Sequence, residues 1–268
     1  MLKIDQYAYI NRLSGVHPLE KLVLSLATML ICLAVSSPAF SLVVIICMAG
    51  MVTVAARIPV RFFLKLMLAP VIFLVVGVLT VAFVWTEHPS GAFWGWRLGQ
   101  CYFGVTGQGL AAAGSLFLRS LAAVACLYFL SLTTPAVDLF SVLRSLRVPS
   151  LFVELMSLVY RYIFVLLDTA DKIYVSQASR WGYASLRTSY VSLGQLISNL
   201  FTKASHNYRM LYQALNARCY AGELRVLENS YVFSWRNLAL ILLFEAALLL
   251  LSLWLAGSVP SLWGGVLG

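Results

Sequence analysis

The sequence predicts an all-α integral membrane protein, with about five transmembrane helices and a cytoplasmic domain built on two long amphipathic helices. Three observations predict it. Hydrophobic residues make up 61% of the chain and charged residues 11%, too little polar surface for a soluble domain of this length. The apolar residues gather into runs that match the roughly 20 residues needed to cross about 30 Å of hydrocarbon. The basic residues behind the net charge of +9 fall between those runs, which is the pattern of membrane orientation and not of nucleic-acid binding.

The first span is Leu19–Ser37, with Glu20 and Lys21 expected at the interface, where a lysine can snorkel to water. Asp5, Arg12 and Glu20 come before the first apolar run and a small-residue cleavage site is lacking, so a cleaved signal peptide is not expected. Ser36-Ser37-Pro38 turns the chain into a second span, Ala39–Ala56, followed by a basic loop with Arg57, Arg61 and Lys65. Leu66–Trp85 is the third span, with Pro70 placed to kink it. The next loop, 86–104, is rich in glycine and aromatics, and Trp85, Trp94, Trp96 and Tyr102 suit an interfacial belt. Val105–Leu132 is the fourth span and Asn237–Ala256 the fifth. This divides the chain into a membrane domain (1–132), a cytoplasmic domain (133–236) and a C-terminal transmembrane helix (237–268). Five spans put every basic stretch on one side, so the N-terminus is expected in the cytoplasm.

The polar segment 133–236 carries nearly twice as many Lys and Arg as Asp and Glu. Thr134-Pro135 opens a short helix that ends before Val148-Pro149, because proline disfavours helix at the preceding residue. A long helix from about Ser150 to Arg180 follows, with Glu154, Ser157, Arg161, Asp168 and Lys172 in one polar stripe. Its first half is apolar nearly all round, so it is expected half sunk in membrane or protein. After the connector Trp181–Thr188 comes a second helix, about Ser189 to Asn216, whose apolar face runs from Leu193 through Tyr208 to Leu215. Each helix ends in a short arginine motif, Ser179-Arg180-Trp181 and Ala217-Arg218-Cys219. For one helix-terminal arginine, complementing the helix dipole is explanation enough; two at matching ends point to an interface.

No catalytic constellation stands out. There is no Gly-Lys pair and hence no phosphate loop of the GxxxxGK[ST] type, and no HExxH. His17, His88 and His206 sit in separate regions; His17, before Pro18, reads as a loop residue bonded to nearby backbone. Asp168 and Asp171 read as a solvated helix face, and the five cysteines show no paired spacing. Neither a metal ligand set nor a cofactor site is expected in this chain. Two charges inside spans, Arg119 and Glu245, each cost several kcal/mol unless satisfied, and their similar depth predicts an interhelical pair. Small residues on the fourth span (Gly107, Ala111, Gly114, Ser115, Ala122 and Cys126) allow close helix approach, either by the chain's own helices or by a separate membrane subunit.

The order of these segments carries a resemblance. The opening Asp5-Gln6-Tyr7-Ala8, Asn11-Arg12 and Val16-His17-Pro18-Leu19-Glu20-Lys21, then Val148-Pro149-Ser150, Glu154 and Tyr160-Arg161-Tyr162-Ile163-Phe164, then the two arginine motifs, resemble the transmembrane T component of energy-coupling-factor (ECF) ABC transporters, in its cobalt branch, CbiQ. The likeness runs over essentially the whole chain. It implies that 133–236 is a coupling domain and that Arg180 and Arg218 dock on two ATP-binding cassette ATPase subunits. It implies as further partners a substrate-binding membrane subunit, a small accessory membrane subunit and the lipid of a bacterial inner membrane. ATP hydrolysis and ion binding would then belong to those partners. Nickel or vitamin uptake by the same kind of scaffold stays open, as does, with less support, a membrane enzyme. Trp181 and Cys219 stand where the family pattern has glycine, and Ser179 where it has alanine; Gly182 and Gly222 are expected to lend flexibility nearby.

Overall fold

The computed structural model describes residues 3–35, 37–86, 92–98, 101–220, 231 and 234–258. They fall into two compact units, one within Val137–Asn229 and the other made of Leu2–Ala136 with Ser230–Gly268.

In the larger unit α1 (Lys3–Ile10) and a 3-10 turn (Arg12–Gly15) lead into α2 (Pro18–Ala34). Pro18 opens α2 at a position where a missing N–H costs nothing, and His17 caps it, its Nδ1 accepting from the Leu19 N–H at 3.2 Å. α3 (Pro38–Gly50) runs on through a π-helical turn (Met51–Ala55), and α4 spans Val60–Ala82. α5 (Gly107–Thr133) is central, packed against α1, α2, α3 and α4, while α9 (Trp235–Ser258) packs on α2 and α3. The core is a row at helical spacing on α3 and its extension (Phe40, Val44, Met48, Val52) set against Ala122, Ala125, Cys126 and Phe129 of α5. Lipid tails are as apolar as these side chains, so close packing and hydrogen bonds hold the unit together more than the hydrophobic effect does. Pro70 lies inside α4 and offers no N–H to the Leu66 carbonyl; Tyr128 of α5 donates its hydroxyl there at 3.3 Å.

The stretch read as a Gly- and aromatic-rich loop holds a small antiparallel sheet in the order β1 (Phe83–Thr86), β3 (Cys101–Thr106), β2 (Ala92–Leu98). Its aromatic and β-branched residues suit a pleated ribbon, with Trp96 opposite Phe103 and Trp85 opposite the same residue on the other edge. The interfacial belt falls on side chains outside those described, and His88 and Gly222 lie outside the described residues.

Five helical segments are long and apolar enough to cross a membrane: Pro38–Ala55, Val60–Val81, Gly109–Thr133, Ser150–Ser179 and Trp235–Leu253. The number agrees with the sequence, but the membership differs. α2 has 17 residues, short of a full span, and buries Leu24, Ser25, Thr28 and Cys32 within its own unit. α7 (Ser150–Ser179) qualifies instead by its length and apolar first half.

Glu20 and Lys21 do not snorkel to water as expected of the lysine; they are 0% and 3% exposed, buried against the ends of other helices. Glu20 sits at the start of α9, where Oε1 accepts from the Ser234 N–H and Oε2 from Asn237 Nδ2, each at 3.1 Å. Lys21 Nζ donates to the Thr133 carbonyl at the end of α5, at 3.0 Å. Asn11 Nδ2 approaches the Leu132 and Thr133 carbonyls at 3.4 and 3.3 Å. A carboxylate thus meets a helix N-terminus and an ammonium a helix C-terminus, each matching the local dipole and satisfying groups that helix ends leave orphaned.

The smaller unit contains α6 (Ala136–Ser145), α7 and α8 (Leu186–Ala217). α8 starts three residues before the expected Ser189, because Ser185 and Thr188 form a reciprocal capping box. α7 and α8 run antiparallel. Gln177 near the end of α7 donates to the Ser192 carbonyl early in α8, and Tyr220 just past α8 donates to Glu154 near the start of α7.

Candidate functional site

The two arginine motifs close their helices in the same way. Arg180 is the C-cap of α7 (φ −101°, ψ 21°) and Arg218 that of α8 (φ −100°, ψ 17°). The next residue turns left-handed in each, Trp181 at φ 60° and Cys219 at φ 54°. Gly182 N–H then donates to the Gln177 carbonyl at 2.9 Å and Trp181 N–H to Ala178 at 3.1 Å; Tyr220 N–H donates to Leu215 and Cys219 N–H to Asn216, both at 3.1 Å. These are two Schellman motifs, in which backbone N–H groups satisfy the last carbonyls.

This bears on what the arginines do. With the Gln177, Ala178, Leu215 and Asn216 carbonyls taken by backbone N–H groups, neither guanidinium is needed to cap them, and neither has a hydrogen-bond or ion-pair partner among the described residues. All six motif side chains are exposed. Each guanidinium therefore presents a planar fork of donors suited to a carboxylate or carbonyl on another molecule.

The left-handed residue is where helices most often carry glycine, which has no Cβ to clash. That accounts for the glycine which the resemblance implies at this position. Here tryptophan and cysteine hold the conformation, at a strain of about 1–3 kcal/mol each. Arg57 and Arg147 share it, also just past helix ends.

Gly182 supplies close approach rather than the expected flexibility. A Cβ there would stand 2.8 Å from both the Gln177 carbonyl oxygen and Ser192 Oγ. Around it Ser192 Oγ donates to the Gly182 carbonyl (2.8 Å) and Tyr183 to Gln177 Oε1 (2.8 Å), while the Tyr174 and Tyr183 rings lie 4.8 Å apart. The α7 end is a braced elbow.

Because α7 and α8 are antiparallel, Arg180 and Arg218 stand at opposite ends of the pair. At 1.5 Å per residue, a helix of this length separates them by on the order of 45 Å. Sequence reasoning found both motifs, but only the pairing of the helices reveals that they point apart.

Two acidic residues of α7 have partners within the same unit. Asp168 pairs with Lys172 one turn away, exposed and of little energetic weight. Glu154 is buried and accepts from Tyr220.

The expected Arg119–Glu245 pair is not formed. Glu245 Oε1 accepts from Thr28 of α2 at 2.7 Å, whereas Glu245 Oε2 and Arg119 Nε are each buried without a partner. The reason lies in helix adjacency: α9 packs on α2 and α3, so Glu245 meets α2 first. Neutralising Arg119 and Glu245 to Gln, singly and together, is expected to give additive losses within about 0.5 kcal/mol. Thermal melting of the three variants in detergent checks this, and strong coupling would restore the pair. The small-residue stripe divides. Ala122 and Cys126 are buried in the core, while Gly107, Ala111 and Gly114 are exposed.

Five helical segments long and apolar enough to cross a membrane make this a multi-pass membrane protein, and it carries two matched, exposed helix ends. The family described as cobalt transport protein CbiQ matches residues 11–228, and the chain belongs to that family. It is 33% identical over 248 residues to the cobalt transport protein CbiQ of Rhodobacter capsulatus, covering 92% of this chain and 96% of that one. Its identity to CbiQ of Salmonella typhimurium is 31% over 226 residues, 84% of this chain and 100% of the relative. The energy-coupling factor transporter transmembrane protein EcfT of Ruminiclostridium cellulolyticum is 24% identical over 235 residues, covering 82% and 84%.

Proposed function

We propose that this chain is the scaffold of an ECF-type importer, carrying ATP-driven movement of two ATPase subunits to a separate substrate-binding membrane subunit. The observation that carries it is the antiparallel α7–α8 pair with an exposed arginine at each end, unpartnered among the described residues. One rigid element can then engage two subunits set side by side, one at each end. The likeness to EcfT of Ruminiclostridium cellulolyticum supports membership in such a complex, and the CbiQ relatives support cobalt as the transported ion. In this reading the chain hydrolyses no ATP and carries no cofactor.

The distribution of positive charge supports a cytoplasmic N-terminus and a coupling domain over 133–236 facing the cytoplasm of a bacterial inner membrane. α7 then lies outside the bilayer despite its apolar first half, because Glu154, Arg161, Asp168, Asp171 and Lys172 recur along its length. α2, short as it is, completes the spans.

The test is co-expression of the full chain with its ATPase pair and substrate-binding membrane subunit, followed by cobalt, nickel and vitamin uptake assays. Co-purification of all components and ATP-dependent cobalt uptake is the expected result. Nickel or vitamin uptake alone would reassign the substrate, and failure to recruit the ATPases would sink the scaffold reading.

A further inference from the structure

The two helix ends share a backbone but not a side chain. Trp181 is 80% exposed. A bulky residue at φ 60° is a genuine outlier, and such strain persists where the surroundings over-determine it or where function uses it. Here the surroundings do hold it, because the Gly182–Ser192–Gln177 elbow leaves the chain no slack. The indole, however, takes no part in that bracing. The elbow therefore holds the backbone from which a large, exposed apolar ring projects next to Arg180, whose guanidinium has no partner among the described residues. Trp and Arg are among the side chains most enriched where few residues carry most of the binding energy, and an indole, with only two side-chain torsions, loses little entropy on docking. A lipid surface suits it less well, since Arg180 stands directly beside it and the adjacent Ser179 and Gly182 are small, although Leu186 and Tyr190 at the start of α8 are also exposed. The α8 end offers only the Cys219 thiol in the equivalent place.

We propose that Trp181 is a specificity-determining anchor: its indole enters an apolar pocket on the ATPase subunit that receives the α7 end, and the α8 end has no counterpart. The proposal rests on the ATPase-docking reading above. One end thus takes charge and shape together, the other charge alone, and the two ends are not interchangeable.

Affinity for the purified cognate ATPase pair, measured with the full-length chain in detergent, tests this alongside the chain's own melting temperature. Trp181→Gly is expected to weaken binding about tenfold or more while raising the melting temperature, because it removes the ring and relieves the backbone. A residue that merely held the elbow would move both readouts down together. Trp181→Asn, which tolerates the left-handed conformation, serves as a second ring-less variant if the glycine variant proves poorly folded. Trp181→Phe is expected to stay within about threefold of the parent. Parent-like binding by Trp181→Gly, with binding lost in Arg180→Glu, would overturn the anchor and leave the docking reading intact. Parent-like binding by both variants would overturn the docking reading as well. A loss seen only in lipid nanodiscs, and absent in detergent, would assign the ring to the lipid surface and overturn the proposal.

Discussion

Arg180→Glu and Arg218→Glu are each expected to abolish uptake while the chain remains folded and inserted in the membrane. Both guanidinium groups are exposed and unpartnered among the described residues, so little inside the chain depends on them. Backbone bonds close both helices, and a carboxylate near a helix C-terminus costs only about 0.3–1 kcal/mol through the dipole. At a docking surface the same change replaces a donor fork with an acceptor facing acceptors. Reversals of that kind cost several kcal/mol, or roughly a hundredfold in affinity and more. Because the arginines stand at opposite ends of the pair, each reversal should disable one contact and neither should rescue the other. The measurement is cobalt uptake in cells, paired with membrane abundance and ATPase co-purification. Full transport and full recruitment in both variants would mean that the helix ends do not couple.

The second large effect is on stability. Glu20→Ala is expected to lower the stability of the larger unit by about 3 kcal/mol, because it removes a fully buried carboxylate and leaves the part-buried Ser234 N–H and Asn237 amide without it. Glu20→Gln keeps an acceptor and should cost nearer 1 kcal/mol. Melting in detergent and the amount of chain retained in the membrane both read this out. Equal losses for the Ala and Gln variants would point to packing, not hydrogen bonding, as what Glu20 supplies.

Much of this was legible in the residues. Span-length apolar runs, basic loops and the proline-bounded connector predict a helical membrane protein with a polar segment, since each rests on local composition and spacing. His17 before Pro18 was legible too, as a side chain bonded to its neighbouring backbone. The arginine motifs were visible as repeated Arg-X at helix ends. What misled was treating charges by depth alone. Glu20 and Lys21 begin an apolar run and looked free to reach water, yet they are buried by helix ends from distant parts of the sequence. Arg119 and Glu245 lie at comparable depth, but α2 supplies Glu245 with Thr28 instead.

By itself the sequence determined the solvent, the helices and the two arginine ends, because hydropathy and capping act over one or two turns. Only the tertiary structure decided which helices are neighbours, and hence that Glu20 serves α9, that Lys21 serves α5 and that Glu245 misses Arg119. It also decided that the arginines point apart, through hydrogen bonds from Gln177 to Ser192 and from Tyr220 to Glu154. Such contacts join residues far apart in the chain, and nothing in local periodicity encodes which helix comes to lie beside which.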